Sequence, residues 1–154
     1  MPIKKTILIF LFGTLIMAVL LRFQGKSLYT THAPMGIVSM ELANTLQKTK
    51  TVMADWTVGL SQIFYQNILL DFVFIFFYGG LFYLLSRYFA TQFASLKNSG
   101  ILFSWLALAA AILDVLENSL MLVSFSGHTH SVVSFLTFLF AGMKFLLIAL
   151  VILY

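Results

Sequence analysis

The chain has 154 residues, 61% of them hydrophobic and 9% charged, with nine basic and five acidic side chains. An ordinary soluble domain is about 45–50% apolar and about 25% charged, so a soluble fold could not cover this much apolar surface and lipid is the expected solvent. The net charge of +4 does not signal nucleic-acid binding, because the basic residues lie scattered at the edges of hydrophobic runs, where membrane anchors belong.

Residues 6–21, TILIFLFGTLIMAVLL, carry no charge and are bounded by Lys4, Lys5 and Arg22. They predict a first membrane span that snorkelling cations complete at both ends. A signal peptide would share the basic start and apolar run, but LLRFQGKSLY offers no small-x-small cleavage site, so the helix is expected to be retained.

Residues 22–57 are the one sizeable segment outside the predicted spans. Within it, residues 34–48 read as a short amphipathic helix, with Pro34 suited to its first turn. Glu41, Asn44, Thr45 and Lys48 follow i, i+3, i+4, i+7 spacing and form its expected polar face. Met35, Val38, Leu42 and Leu46 fall opposite. Such a helix would lie on the membrane or cap the bundle, as a packed connector or as a lid over a ligand. Trp56 then reads as an interfacial anchor.

Three further spans are predicted at 58–86, 101–125 and 132–154. Short connections at 87–100 and 126–131 make them antiparallel neighbours. The expected fold is an all-α membrane protein, a four-transmembrane-helix bundle with one amphipathic extramembrane helix between helices 1 and 2. Residues 1–154 form a single membrane domain, since no polar linker separates two. Basic residues divide evenly between the two sides. The Lys4–Lys5 pair and the basic 87–100 loop favour cytoplasmic termini.

Ionisable groups at membrane depth cost about 2.5–3.5 kcal/mol on insertion scales and face protein, water or a partner. Asp71, Asp114 and Lys144 each fall near the middle of a span, within roughly 5 Å of one plane at 1.5 Å per residue. Asn67, Asp71 and Tyr78 share a face of the second helix. Ala107, Ala111, Asp114, Asn118 and Met121 share a stripe of the third, with Glu117 beside it. Asn67, Asp71, Tyr78, Asp114, Glu117, Asn118 and Lys144 are therefore expected to form one buried polar cluster. Its three acids exceed its one Lys, so a proton, a cation or a partner must balance it.

No metal or cofactor site is expected. The chain has no Cys, and His128 and His130 form an H-x-H pair in a loop without a carboxylate. His32 stands alone in its loop. No phosphate loop, HExxH or nucleophile elbow is present.

The stretches APMGIVSMELANT, LLDFVFIFFYG and LDVLENSLML resemble uncharacterised bacterial four-helix integral membrane proteins, sharing GIVxxELA and DxxEN patterns. The resemblance implies a four-helix plan in a bacterial inner membrane and carries no activity. In architecture and buried carboxylates alone, the chain is also similar to small four-helix sterol-isomerase and sigma-2-receptor-like proteins, from which no catalytic residue carries over.

Two functions follow as expectations. The first is a non-catalytic auxiliary subunit that meets other membrane subunits, or further copies of itself, in the lipid bilayer. The alternative is a membrane-embedded small-molecule or lipid site, in an enzyme or a proton or ion carrier, that uses the buried carboxylates. An outward-facing Lys144 would favour the first; a cavity beside the acids would favour the second.

Overall fold

Long apolar runs have no use for exposed backbone, and helices satisfy their N–H and C=O groups within the run. The computed structural model describes residues 3–56, 58–93, 95 and 97–154, and shows four such helices. They are α1 (Ile3–Gln24), α4 (Val58–Gln92), α5 (Lys97–Val123) and α6 (Ser131–Leu153), each long and apolar enough to cross a membrane. Two short helices, α2 (Ile37–Glu41) and α3 (Leu46–Asp55), lie between α1 and α4. The structure is 89% helical, with no strand among the described residues.

The helices are longer than their apolar cores. α4 continues through Arg87 to Gln92 and α5 begins at Lys97, so most of the expected 87–100 connection is helical. Ala94 and Leu96 of that stretch, like Thr57 of the 22–57 segment, lie outside the described residues. Hydrophobicity marks where a helix is apolar, whereas helical hydrogen bonding continues until the backbone is capped.

α1 packs along α4, α4 along α5 and α5 along α6, while α1 and α6 share no comparable interface. The four helices form an arc that stays open along one seam. The α1–α4 contact is close because glycines remove the side chains in between. A Cβ on Gly13 would strike the Phe77 ring, and one on Gly80 would strike the Phe10 ring.

The segment after α1 departs most from expectation. One amphipathic helix over 34–48 does not form. α2 ends at Glu41, and Thr45 becomes the N-cap of α3, its hydroxyl accepting from the Lys48 N–H at 3.3 Å. A threonine oxygen that satisfies an orphan N–H starts a new helix more readily than it continues an old one.

This segment, residues 25–56, forms a cap tucked into the arc. Leu28, Ala33 and Met40 are buried and join one apolar core with Trp56, Phe64, Ile68 and Met121. Trp56 is no interfacial anchor: it is 3% exposed, stacks on Phe64 and Phe125, and donates from Nε1 to the Leu28 carbonyl at 3.0 Å. His32 ties the cap to the end of α3. Its backbone N–H and its ring Nδ1 meet the two Asp55 carboxylate oxygens at 2.9 and 2.8 Å. Hydrogen bonds from Thr30 and His32 hold the Asp55 carboxyl down at about 2.

Candidate functional site: a carboxylate-lined cavity inside the helical arc

The buried stripe of α5 runs from Gly100 and Ser104 through Ala107, Ala110, Asp114, Glu117 and Asn118 to Met121, at the spacing of one helix face. Ala110 takes the buried position that the sequence suggested for Ala111. The small residues admit the neighbouring helices, and the polar ones meet groups presented by α4 and α6. On α6, Thr137, Ala141 and Lys144 are buried at i, i+4, i+7.

The Lys144 ammonium is the centre of the constellation. Its Nζ donates to Asp114 Oδ1 at 2.7 Å, and it lies 2.9 Å from Glu117 Oε2 and 3.3 Å from Glu41 Oε2. The two glutamate contacts are ion pairs by distance. Neither Glu117 oxygen, nor Glu41 Oε2, has an aligned hydrogen-bond partner among the described residues. The other Asp114 oxygen accepts from the Tyr78 hydroxyl at 2.8 Å. Beside this group, the Asn118 amide donates to Asp71 Oδ2 at 2.6 Å.

Glu41 is the participant that helical periodicity hid. The expected polar face of Glu41, Asn44, Thr45 and Lys48 does not exist as a face. Glu41 turns inward and is only 6% exposed. Asn44 accepts from the Lys48 ammonium at 3.1 Å, and Thr45 caps α3. The expected apolar partners Met35 and Leu42 are exposed instead. A buried ammonium explains the inversion, because it rewards a carboxylate that reaches it more than solvent rewards one left outside.

Asn67 sits apart from Lys144. It donates to Gln24 Oε1 at 2.6 Å and to the Leu21 carbonyl at 3.3 Å, while Gln24 donates to the Ile63 carbonyl at 2.8 Å. These bonds fasten the end of α1 to α4. Gln24 lies at the edge of an apolar run, with no periodic signal to distinguish it from an ordinary terminal residue.

A cavity of about 450 Å³ opens against these groups, within the range of about 300–1,000 Å³ usual for small-molecule sites. Its charged and amide lining comprises Arg22, Glu41, Asn67, Asp71, Asp114 and Lys144, with Thr14, Tyr29 and Tyr78 adding hydroxyls. Glu117 is fully buried behind them and does not reach it. The apolar lining includes Phe74, Phe82, Phe145 and Ile148. On α4 the order is Asn67, Asp71, Phe74, Tyr78, Phe82, and on α6 it is Lys144, Phe145, Ile148, so on both helices the charged groups lie toward the cap and the apolar walls beyond them. Exposed Arg22, Tyr29 and Met35 line the same cavity where α1 gives way to the cap.

The cluster holds four carboxyl groups, Glu41, Asp71, Asp114 and Glu117, around one ammonium. Fully ionised it would carry −3, which an interior of low dielectric does not sustain without protons or a cation. The groups can accept and release protons, and they can receive a donor or a positive charge from a guest. His128 and His130 are exposed, and no group of three or more His, Asp or Glu residues is arranged to hold a metal ion among the described residues. Comparison with protein-family models, curated proteins and solved structures finds no match to the chain.

Proposed function

We propose that this is an integral membrane protein that crosses the bilayer four times and binds a small amphipathic molecule in the cavity of its helical arc. The bilayer supplies the solvent for large exposed side chains such as Phe12, Phe76, Trp105 and Ile152. The molecule's apolar body lies along Phe74, Phe82, Phe145 and Ile148, and its polar head meets Asp71, Asp114 and Glu41. The carrying observation is the cavity itself, oil-lined at one end and carboxylate-lined at the other, in a chain whose charges are otherwise few.

An outward-facing Lys144 would have favoured the auxiliary-subunit reading. Lys144 is 4% exposed and faces three carboxyl groups of its own chain, which supports the small-molecule reading over it. Acid–base chemistry on the bound head is within reach of the same groups.

The test is native mass spectrometry of protein extracted from its own membrane in mild detergent. The expected species is a chain that retains an amphiphile of defined mass, released when Ile148→Trp fills the apolar end. A bare chain in a defined assembly with other subunits would sink the proposal and favour the auxiliary role.

A further inference from the structure

The site's charges are not equally provided for. Asp114 has the Lys144 ammonium at 2.7 Å and the Tyr78 hydroxyl at 2.8 Å. Glu41 and Glu117 touch the same ammonium. Asp71 is different: its partner is the neutral amide of Asn118, and no cation lies within ion-pairing distance of it among the described residues. It is half-buried, lines the cavity, and stands on α4 with the apolar wall of Phe74 and Phe82 beyond it.

Glu41, 6% exposed, lines the same cavity from the cap, with its Oε2 already ion-paired to Lys144 at 3.3 Å. Asp71 on α4 is therefore the cavity carboxylate that no cation of the described chain reaches. Arg22, the other cation in its lining, is exposed at the end of α1.

A half-buried carboxylate that lines a cavity and has no cation of its own chain gives a cationic guest a place to pair. Resting on the cavity reading above, we infer that the bound amphiphile is a single-chain amine, its ammonium paired with Asp71 and its chain directed away from the cap toward Phe82 and Ile148. An alkylammonium has three N–H donors. It can serve Asp71 and Glu41 together, and it brings the charge that the cluster lacks. The open seam between α1 and α6 gives the chain a lateral route from the bilayer. A carboxylate head would add to the negative excess, and an alcohol head would leave it uncorrected.

The test compares three probes of equal chain length, dodecylamine, dodecanol and dodecanoate, by the rise in melting temperature of the purified protein in nonionic micelles at pH 7. The amine is protonated there. It should stabilise the protein at a mole fraction about tenfold or more below that of the alcohol, the ratio expected of a charge-assisted bond over a neutral one. Asp71→Asn keeps the shape and a partner for Asn118; it should erase the amine's advantage and leave the alcohol's effect in place.

Equal responses to amine and alcohol in the wild-type protein overturn the inference without recourse to any variant, as does an amine preference that survives Asp71→Asn. If none of the three probes stabilises the protein, the cavity reading falls as well. If all three bind alike, the cavity reading stands and only the amine assignment fails.

Discussion

Lys144 neutralises a group of carboxyls that nothing else in the described chain neutralises, so its loss and the loss of an acid have opposite electrostatic signs. Lys144→Met is expected to lower stability by about 3–5 kcal/mol, the usual cost of breaking a buried ion pair from one side. Glu117→Gln removes one of four competing carboxyls and keeps the side chain's shape, so its melting temperature should stay near that of the wild type or rise. Thermal unfolding of both variants in the same detergent decides the matter. A Glu117→Gln loss as large as that of Lys144→Met would mean that the cluster carries no excess negative charge. Asp114, Glu117, Asn118, Asp71 and Lys144 were legible in the sequence because polar residues at membrane depth have few places to go. Glu41 was not. It lies in a polar segment, where a carboxylate is unremarkable, and its role depends on a loop path that no periodicity encodes.

At the scale of elements, the cap and the α1–α4 contact set the shape of the cavity, and each has a weak point that can be probed. His32 and Asp55 close the cap through side-chain and backbone bonds. Because the Asp55 carboxyl sits at about 2 when folded and near 3.9 in an unfolded chain, its contribution is present above about pH 4. It fades as pH falls from there toward 2. Amide exchange at residues 30–33 should therefore accelerate across that window, and Asp55→Asn should show the faster exchange already at neutral pH. Exchange that ignores both changes would assign the cap's closure to Trp56 and its aromatic partners alone. On the other side, Gly80→Val drives a side chain into the Phe10 ring. It should destabilise the protein by about 1–3 kcal/mol, as overpacked cores do, measurable as a lower melting temperature. The four long helices could be read from hydropathy, whereas the break at residues 42–45 could not be read from it. Residues 34–48 satisfy an amphipathic template, and the Thr45 cap that overrides it is a single oxygen bonded to a single N–H. The ANTLQK stretch does contain that signal, a threonine three residues before Lys48, but it competes with a longer and louder pattern.

For the whole molecule, the proposed four crossings would fix a relation between its ends. An even number of antiparallel crossings would return the chain to its starting side, with the start of α1, the α4–α5 connection and the end of α6 on one face, and the cap and the turn through His128 and His130 on the other. On that reading the seam between α1 and α6 opens toward lipid with its carboxylate end nearer the cap. The absence of any native cysteine makes the arrangement directly testable by single introduced thiols. Lys48→Cys, on the exposed side of α3, and Lys97→Cys, exposed at the start of α5, should react with a membrane-impermeant maleimide from opposite sides. With the termini cytoplasmic, as the Lys4–Lys5 pair favours, Lys48→Cys labels in intact cells and Lys97→Cys labels only after permeabilisation. The reverse pattern would keep four crossings and invert the protein, moving the carboxylate end of the cavity to the cytoplasmic half of the bilayer. Labelling of both from the same side would require one of the apolar helices to lie along the membrane instead of across it. The arc could not then enclose a site at membrane depth, so this one comparison bears on every functional step that depends on lipid as the solvent.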